Sequence, residues 1–174
     1  MKHLSSFFAI FFALFILTFP SCKNEGEYTE WKIINQNWFE QTVNDTAKWK
    51  SINRKFGLHQ DSSSILNKTE SGLYYHVKIQ GKMTIPGPTS IVSVKYTGKF
   101  IDGTIFESDS LKFTNLPLSG MILGWQEGLT RMRNGGRYIL YIPYYLAYGA
   151  EGSYKIPPYS TLIFDVQLTN VDNL

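Results

Sequence analysis

Residues 120–164 place one short helical stripe between two runs of strand-like alternation, an arrangement few folds accommodate. Ile122, Trp125, Leu129 and Met132 recur at steps of three, four and three, the period of one face of an amphipathic helix. Asn134-Gly135-Gly136 predicts the stop, because a glycine just past the last turn accepts left-handed backbone. The expectation is one helix laid across an antiparallel sheet, with Trp125 as a large apolar surface at the junction.

The flanking segments supply that sheet. Residues 73–80 have strand composition, and Pro86-Gly87-Pro88 reads as a turn. Residues 91–101 alternate, with Val92, Val94 and Tyr96 on one face and Ser93, Lys95 and Thr97 on the other. Asp102-Gly103 is a hairpin signal, residues 104–107 begin a return strand, and 111–113 offer a short edge strand. Residues 137–142 alternate again until Pro143, and 144–159 read as a long loop rich in Tyr, Gly and Pro. Residues 161–171 close the sheet, with Leu162, Phe164, Val166 and Leu168 on one face. The class is α+β, and the chain's 174 residues leave room for one such domain and an extension.

The extension is N-terminal. Lys2, an apolar run over 4–19 and a small residue before Cys22 describe a secretory leader over 1–21. Cys22 is the only cysteine, so it has no disulfide partner, and its position resembles a bacterial lipoprotein attachment site. Lipidation there implies a cell-envelope location, anchored in a membrane and facing the periplasm or the outside. Removing Lys2 with the leader lowers the formal net charge from +3 to +2. Residues 22–70 then read as tether, helical extension and linker. Trp31, Ile34 and Trp38 share one helical face, and Trp49, Ile52 and Phe56 repeat it after capping residues Asn44-Asp45-Thr46. Such an aromatic stripe is expected to pack on its own domain or on a second copy. Residues 59–71 read as the linker.

Several chemistries have no footing. There is no G-x-S-x-G elbow, and Cys22 is placed for lipid rather than for nucleophilic attack. His59 and His76 stand apart from each other and from clustered carboxylates, so no metal is expected. Residues 131–137 carry glycines and basic residues but follow no strand, so no phosphate loop is read there. Basic residues are scattered, which speaks against nucleic acid. A function without nucleophile, metal or other cofactor is what remains.

Six motifs narrow it further. They are Val94-Lys95-Tyr96-Thr97-Gly98, Asp102-Gly103-Thr104-Ile105-Phe106-Glu107-Ser108, Ile122-Leu123-Gly124-Trp125-Gln126-Glu127-Gly128, Ala147-Tyr148-Gly149, Ile156-Pro157-Pro158 and Thr161-Leu162-Ile163-Phe164-Asp165-Val166. Their order and spacing over 71–174 resemble the FKBP family of peptidyl-prolyl isomerases. The resemblance implies an antiparallel sheet of five to six strands curled around one central helix, with a hydrophobic pocket between them. It implies Trp125 as the pocket floor, walls of Tyr96, Phe106 and Phe164, and Met121 and Ile122 at the helix start. In the same reading the Ile122 N–H and the Tyr148 hydroxyl would hold ligand carbonyls, and Ile156 would close the rim. Glu107 stands where the family has an aspartate, one methylene shorter. Leu111 and Phe113 compete for the aromatic position after the hairpin. The loop over 149–156 is about one residue short, with Ser153 or Tyr154 in place of a frequent rim histidine.

Two functions follow from these readings. One is an isomerase that speeds proline-limited folding of exported polypeptides. The other is a module that binds proline-containing chains, or serves envelope assembly, with little turnover.

Overall fold

The computed structural model describes residues 26, 28–45, 66–108 and 114–173. The leader, Cys22, the second helical stripe with Trp49, Ile52 and Phe56, and the candidate residues Leu111 and Phe113 lie outside them. Among these residues, seven antiparallel strands form one sheet: β1 Leu66–Lys68, β2 Tyr74–Ile79, β3 Ile91–Lys99, β4 Ile105–Ser108, β5 Thr114–Pro117, β6 Arg137–Ile142 and β7 Leu162–Asp172. The order is β1-β2-β6-β7-β3-β4, and β5 pairs with the stretch of β3 that β4 leaves free. The class is α+β, as read from the sequence.

The longest pairing joins β3 to β7, from Ile91 opposite Asp172 to Lys99 opposite Ile163. Along β7 burial alternates, so Leu162, Phe164, Val166 and Leu168 all face inward. Each such side chain contributes roughly 1.5–3 kcal/mol when fully buried. Val92, Val94, Tyr138, Leu140 and Ile142 meet them from β3 and β6.

Helix α2, Leu123–Leu129, crosses that inner face. Seven residues are too few for a helix to stand alone in water, so packing must hold it. Gly124 and Gly128 turn toward β6. A Cβ at Gly124 would lie 2.4 Å from Ile142 Cγ2, and one at Gly128 would lie 2.8 Å from Leu140 Cδ1. The helix backbone therefore rests directly on strand side chains, and Trp125, between the two glycines, is sunk into the core.

Four expectations need correction. First, the sheet has seven strands, because β1 forms inside the stretch read as a linker and pairs Leu66 with His76. Three residues are too few to show a period. Second, α2 ends at Leu129, a turn before Asn134. Thr130 Oγ1 donates to the carbonyls of Gln126 and Glu127, and the next N–H groups reach back only three residues, tightening the turn. Met132 is nonetheless fully buried. Gly135 and Gly136 instead exchange backbone hydrogen bonds with Leu168, tying this turn to β7.

Third, the face of α1, Thr29–Asn44, differs from the apolar stripe. Ile34 is 44% exposed, and the docked residues are Trp31, Asn35, Trp38 and Thr42. A sheet end presents backbone N–H groups that need acceptors, so a polar side chain takes the central position. Phe39 packs edge-on against Tyr74, and Trp38 lies over Tyr141, so this helix covers the outer face of the sheet. Of that stripe, Trp31 and Trp38 thus pack on this domain. Fourth, Ser93 is buried beside Val94, because the β3–β7 register slips between them.

Candidate functional site

The inner ends of β3, β4, β7 and α2 bring one aromatic group together. Trp125 is 4% exposed and Phe164 is 3% exposed, and their rings meet at 5.2 Å with an 83° interplanar angle. Tyr96 stands perpendicular to Trp125 at 5.0 Å, and Phe106 perpendicular to Phe164 at 5.6 Å. Edge-to-face pairs of this kind set positive ring edges against negative faces, each worth about 0.5–1.5 kcal/mol beyond area burial. Tyr96, Phe106, Met121 and Ile122 are half-buried and pack against the same core. Exposure thus rises outward from a buried Trp125 and Phe164. The indole Nε1 is buried with no acceptor among the described residues, so it is a free donor at the floor of the site.

Strand register explains the grouping. Gly98 on β3 lies opposite both Phe164 on β7 and Glu107 on β4. A Cβ at Gly98 would lie 2.6 Å from Phe106 Cζ and 2.9 Å from Phe164 Cε1. Only a residue without a side chain lets both rings close over the strand. The sequence reading gives Gly98 no role, although a glycine inside an alternating strand is itself a signal of close approach. Gln126 is a second such residue. Its Nε2 donates to Met121 O at 2.7 Å and to Ser119 O at 3.3 Å, fixing the turn that leads into α2.

Tyr148 follows a 3-10 turn over Tyr144–Leu146 and is 39% exposed. Burial of its hydroxyl raises the pKa above the tyrosine range, and the negative charge of Glu107 adds to the rise. Glu107 itself is exposed on β4 and acts on Tyr148 through its charge. Ile156 is buried rather than open at the rim. It pairs with Ser153 in a tight bridge, leaving Tyr154 fully exposed at the loop tip. The two prolines after Ile156 restrict the backbone there.

No group of three or more His, Cys, Asp or Glu that could hold a metal occurs among the described residues. His76 is buried on β2, where desolvation and then the charge of Lys78 lower its pKa. No helix among the described residues is long and apolar enough to cross a membrane.

The family profile described as "FKBP-type peptidyl-prolyl cis-trans isomerase" matches residues 82–169. The "FKBP-type 22 kDa peptidyl-prolyl cis-trans isomerase" of Escherichia coli K12 is 47% identical over 109 residues, covering 61% of this chain and 53% of that protein. FkpA of Escherichia coli K12, also an FKBP-type isomerase by name, is 37% identical over 134 residues, covering 76% of this chain and 48% of that protein. The crystal structure of FkpA from Escherichia coli superposes with a TM-score of 0.61 at 34% identity, over 87% of this chain and 74% of that one. The chain spans about half the length of these two curated relatives.

Proposed function

The chain belongs to the FKBP-type peptidyl-prolyl cis-trans isomerase family, and from that premise we propose that it catalyses rotation about X-Pro bonds in polypeptides. The reading rests on one observation above others: Tyr96 and Phe164 each stand perpendicular to a buried Trp125, with half-buried Phe106, Met121 and Ile122 packed against the same core.

The chemistry needs no nucleophile. Rotation about a peptide bond faces a barrier of about 18–20 kcal/mol set by amide resonance, and X-Pro exchange takes tens to hundreds of seconds unaided. Resonance puts negative charge on the carbonyl oxygen and positive charge on nitrogen. The twisted transition state has lost that separation, so an apolar pocket favours it over the planar ground state. Each ~1.4 kcal/mol of that preference gives about tenfold in rate. Trp125 takes the prolyl ring on its face, while Tyr96, Phe106 and Phe164 keep water out. Tyr148 donates its hydroxyl to one peptide carbonyl and the Ile122 N–H serves a second, so the flanking segment is held while the imide turns. Burial, and then the charge of Glu107, raise the pKa of that donor.

A protease-coupled assay on short X-Pro peptides tests this directly. Phe164→Ala and Tyr148→Phe should each lower kcat/KM by tenfold or more, on the scale of a lost positioning contact. Full activity in either variant contradicts the mechanism.

The leader and Cys22 support a location in the cell envelope, with the isomerase tethered by lipid on the N-terminal cysteine and exported polypeptides as substrates. Labelled palmitate should be incorporated by the full chain and not by Cys22→Ser.

A further inference from the structure

Helix α1 meets the domain at two segments that wall the site. Asn35 is 0% exposed: its Oδ1 accepts the N–H of Thr161 at 2.8 Å, and its Nδ2 donates to Trp31 O at 2.9 Å. Trp31 Nε1 donates to Ser160 Oγ at 3.0 Å, and Ser160 Oγ donates to Pro157 O at 2.7 Å. On its other side, Trp31 meets Phe100 edge-on at 6.2 Å, and Phe100 backs Phe106 at 4.9 Å. A single turn of helix therefore holds both the hairpin wall and the segment from Ile156 into β7.

An apolar contact would have sufficed to dock the helix. A buried amide is costly unless both its ends are paired, and here the pairing fixes one particular backbone N–H just before β7. Directional bonds set position where apolar packing only sets proximity. We infer that Trp31 and Asn35 are positioning residues of the isomerase, holding the 156–161 segment and, through Phe100, the Phe106 wall at the separation a prolyl ring requires. This rests on the isomerase reading.

The test uses the full chain, well below its melting temperature, with a short X-Pro peptide as substrate. Asn35→Leu removes both amide bonds. Trp31→Phe keeps a ring against Phe100 and loses only the N–H, which covers the case in which Asn35→Leu does not fold. Each should raise KM about threefold to tenfold, the range one lost hydrogen bond commands, with kcat within about twofold. Mere destabilisation would do the opposite, since it removes active molecules and lowers apparent kcat at constant KM. Adding Trp31→Phe to Ser160→Ala should cost nothing further, because the route runs through that hydroxyl. KM unchanged in folded Trp31→Phe and Asn35→Leu overturns the inference.

Amide hydrogen exchange gives the arm that does not depend on activity. Exchange at Thr161 and Ile156 should speed up in Asn35→Leu while Val166 keeps its protection. An inactive wild-type chain with that exchange pattern defeats the isomerase reading and leaves the brace standing. Unchanged exchange at Thr161 defeats the brace whatever the activity.

Discussion

Replacing Gly98 with alanine adds one methyl group at the point where two rings of the site converge. The new Cβ would lie 2.6 and 2.8 Å from Phe106 Cζ and Cε2 and 2.9 Å from Phe164 Cε1. Carbon atoms rest at about 3.5–4.0 Å, so each ring must retreat by roughly 0.6–1 Å. Phe164 has nowhere to go, being wedged against Trp125 at 5.2 Å and Tyr96 at 6.2 Å. Phe106 is half-buried and yields, swinging toward Phe100 and away from the site. Overpacking of this kind costs about 1–3 kcal/mol, offset by roughly 0.5–1 kcal/mol from replacing glycine in a strand. The expected loss of stability is about 0–2.5 kcal/mol. Activity should suffer more, because a wall displaced by about 1 Å can cost up to ~100-fold in rate. Denaturant melts and the protease-coupled peptide assay together separate the two effects. Gly87→Ala is the control, since its Cβ would meet only Ser90 Oγ at 3.7 Å, an ordinary contact. Wild-type kcat/KM in Gly98→Ala would refute the assignment of Phe106 and Phe164 to the site.

Four further outcomes are expected. Because burial and then Glu107 raise the Tyr148 pKa, the hydroxyl stays a donor through the ordinary tyrosine value of 10.0, so kcat/KM should be flat up to that pH. Glu107→Gln removes one of the two causes and should bring the alkaline fall to lower pH in the same assay. Burial alone would raise the Asp165 carboxyl, but hydrogen bonds from Arg137 and Lys78 outweigh it and hold the pKa below the ordinary 3.8. Its contribution to stability is thus present above that pH and lost as pH falls through the lowered value; urea melts of Asp165→Asn should lack this acid-side loss. Gly128→Ala puts a methyl 2.8 Å from Leu140 Cδ1 and should lower the melting temperature by several degrees in calorimetry.

Much of this molecule is legible before folding. Strand β2 shows in its composition, and β3, β6 and β7 show in the alternation of Val92 and Val94, Leu140 and Ile142, and Leu162 to Leu168, because one face is buried and a slip would reverse it. Trp125, Phe164, Tyr96 and Phe106 come together as the family resemblance implies. Other features depend on partners distant in sequence. Asn35 looks like a solvated helix residue until Thr161 arrives 126 positions later to need an acceptor. Ile34 looks like core and is not, since hydrophobicity alone does not say which face will be covered. Gly98 looks like a weak point in a strand until two rings close on it. α2 ends at Leu129, where the Thr130 hydroxyl bonds the carbonyls of Gln126 and Glu127, and not at the glycine pair downstream.

The seating of α2 has an outcome for variation in the domain. With no side chain between helix and strand at Gly124 and Gly128, the depth of Trp125 is set by the bulk of Ile142 and Leu140 beneath it. Trimming or enlarging those two strand residues would lower or lift the indole like a shim, altering ligand fit from positions buried beneath the helix. A shorter residue at 140 should accordingly make room for alanine at 128, so the two sites are free to drift only as a pair.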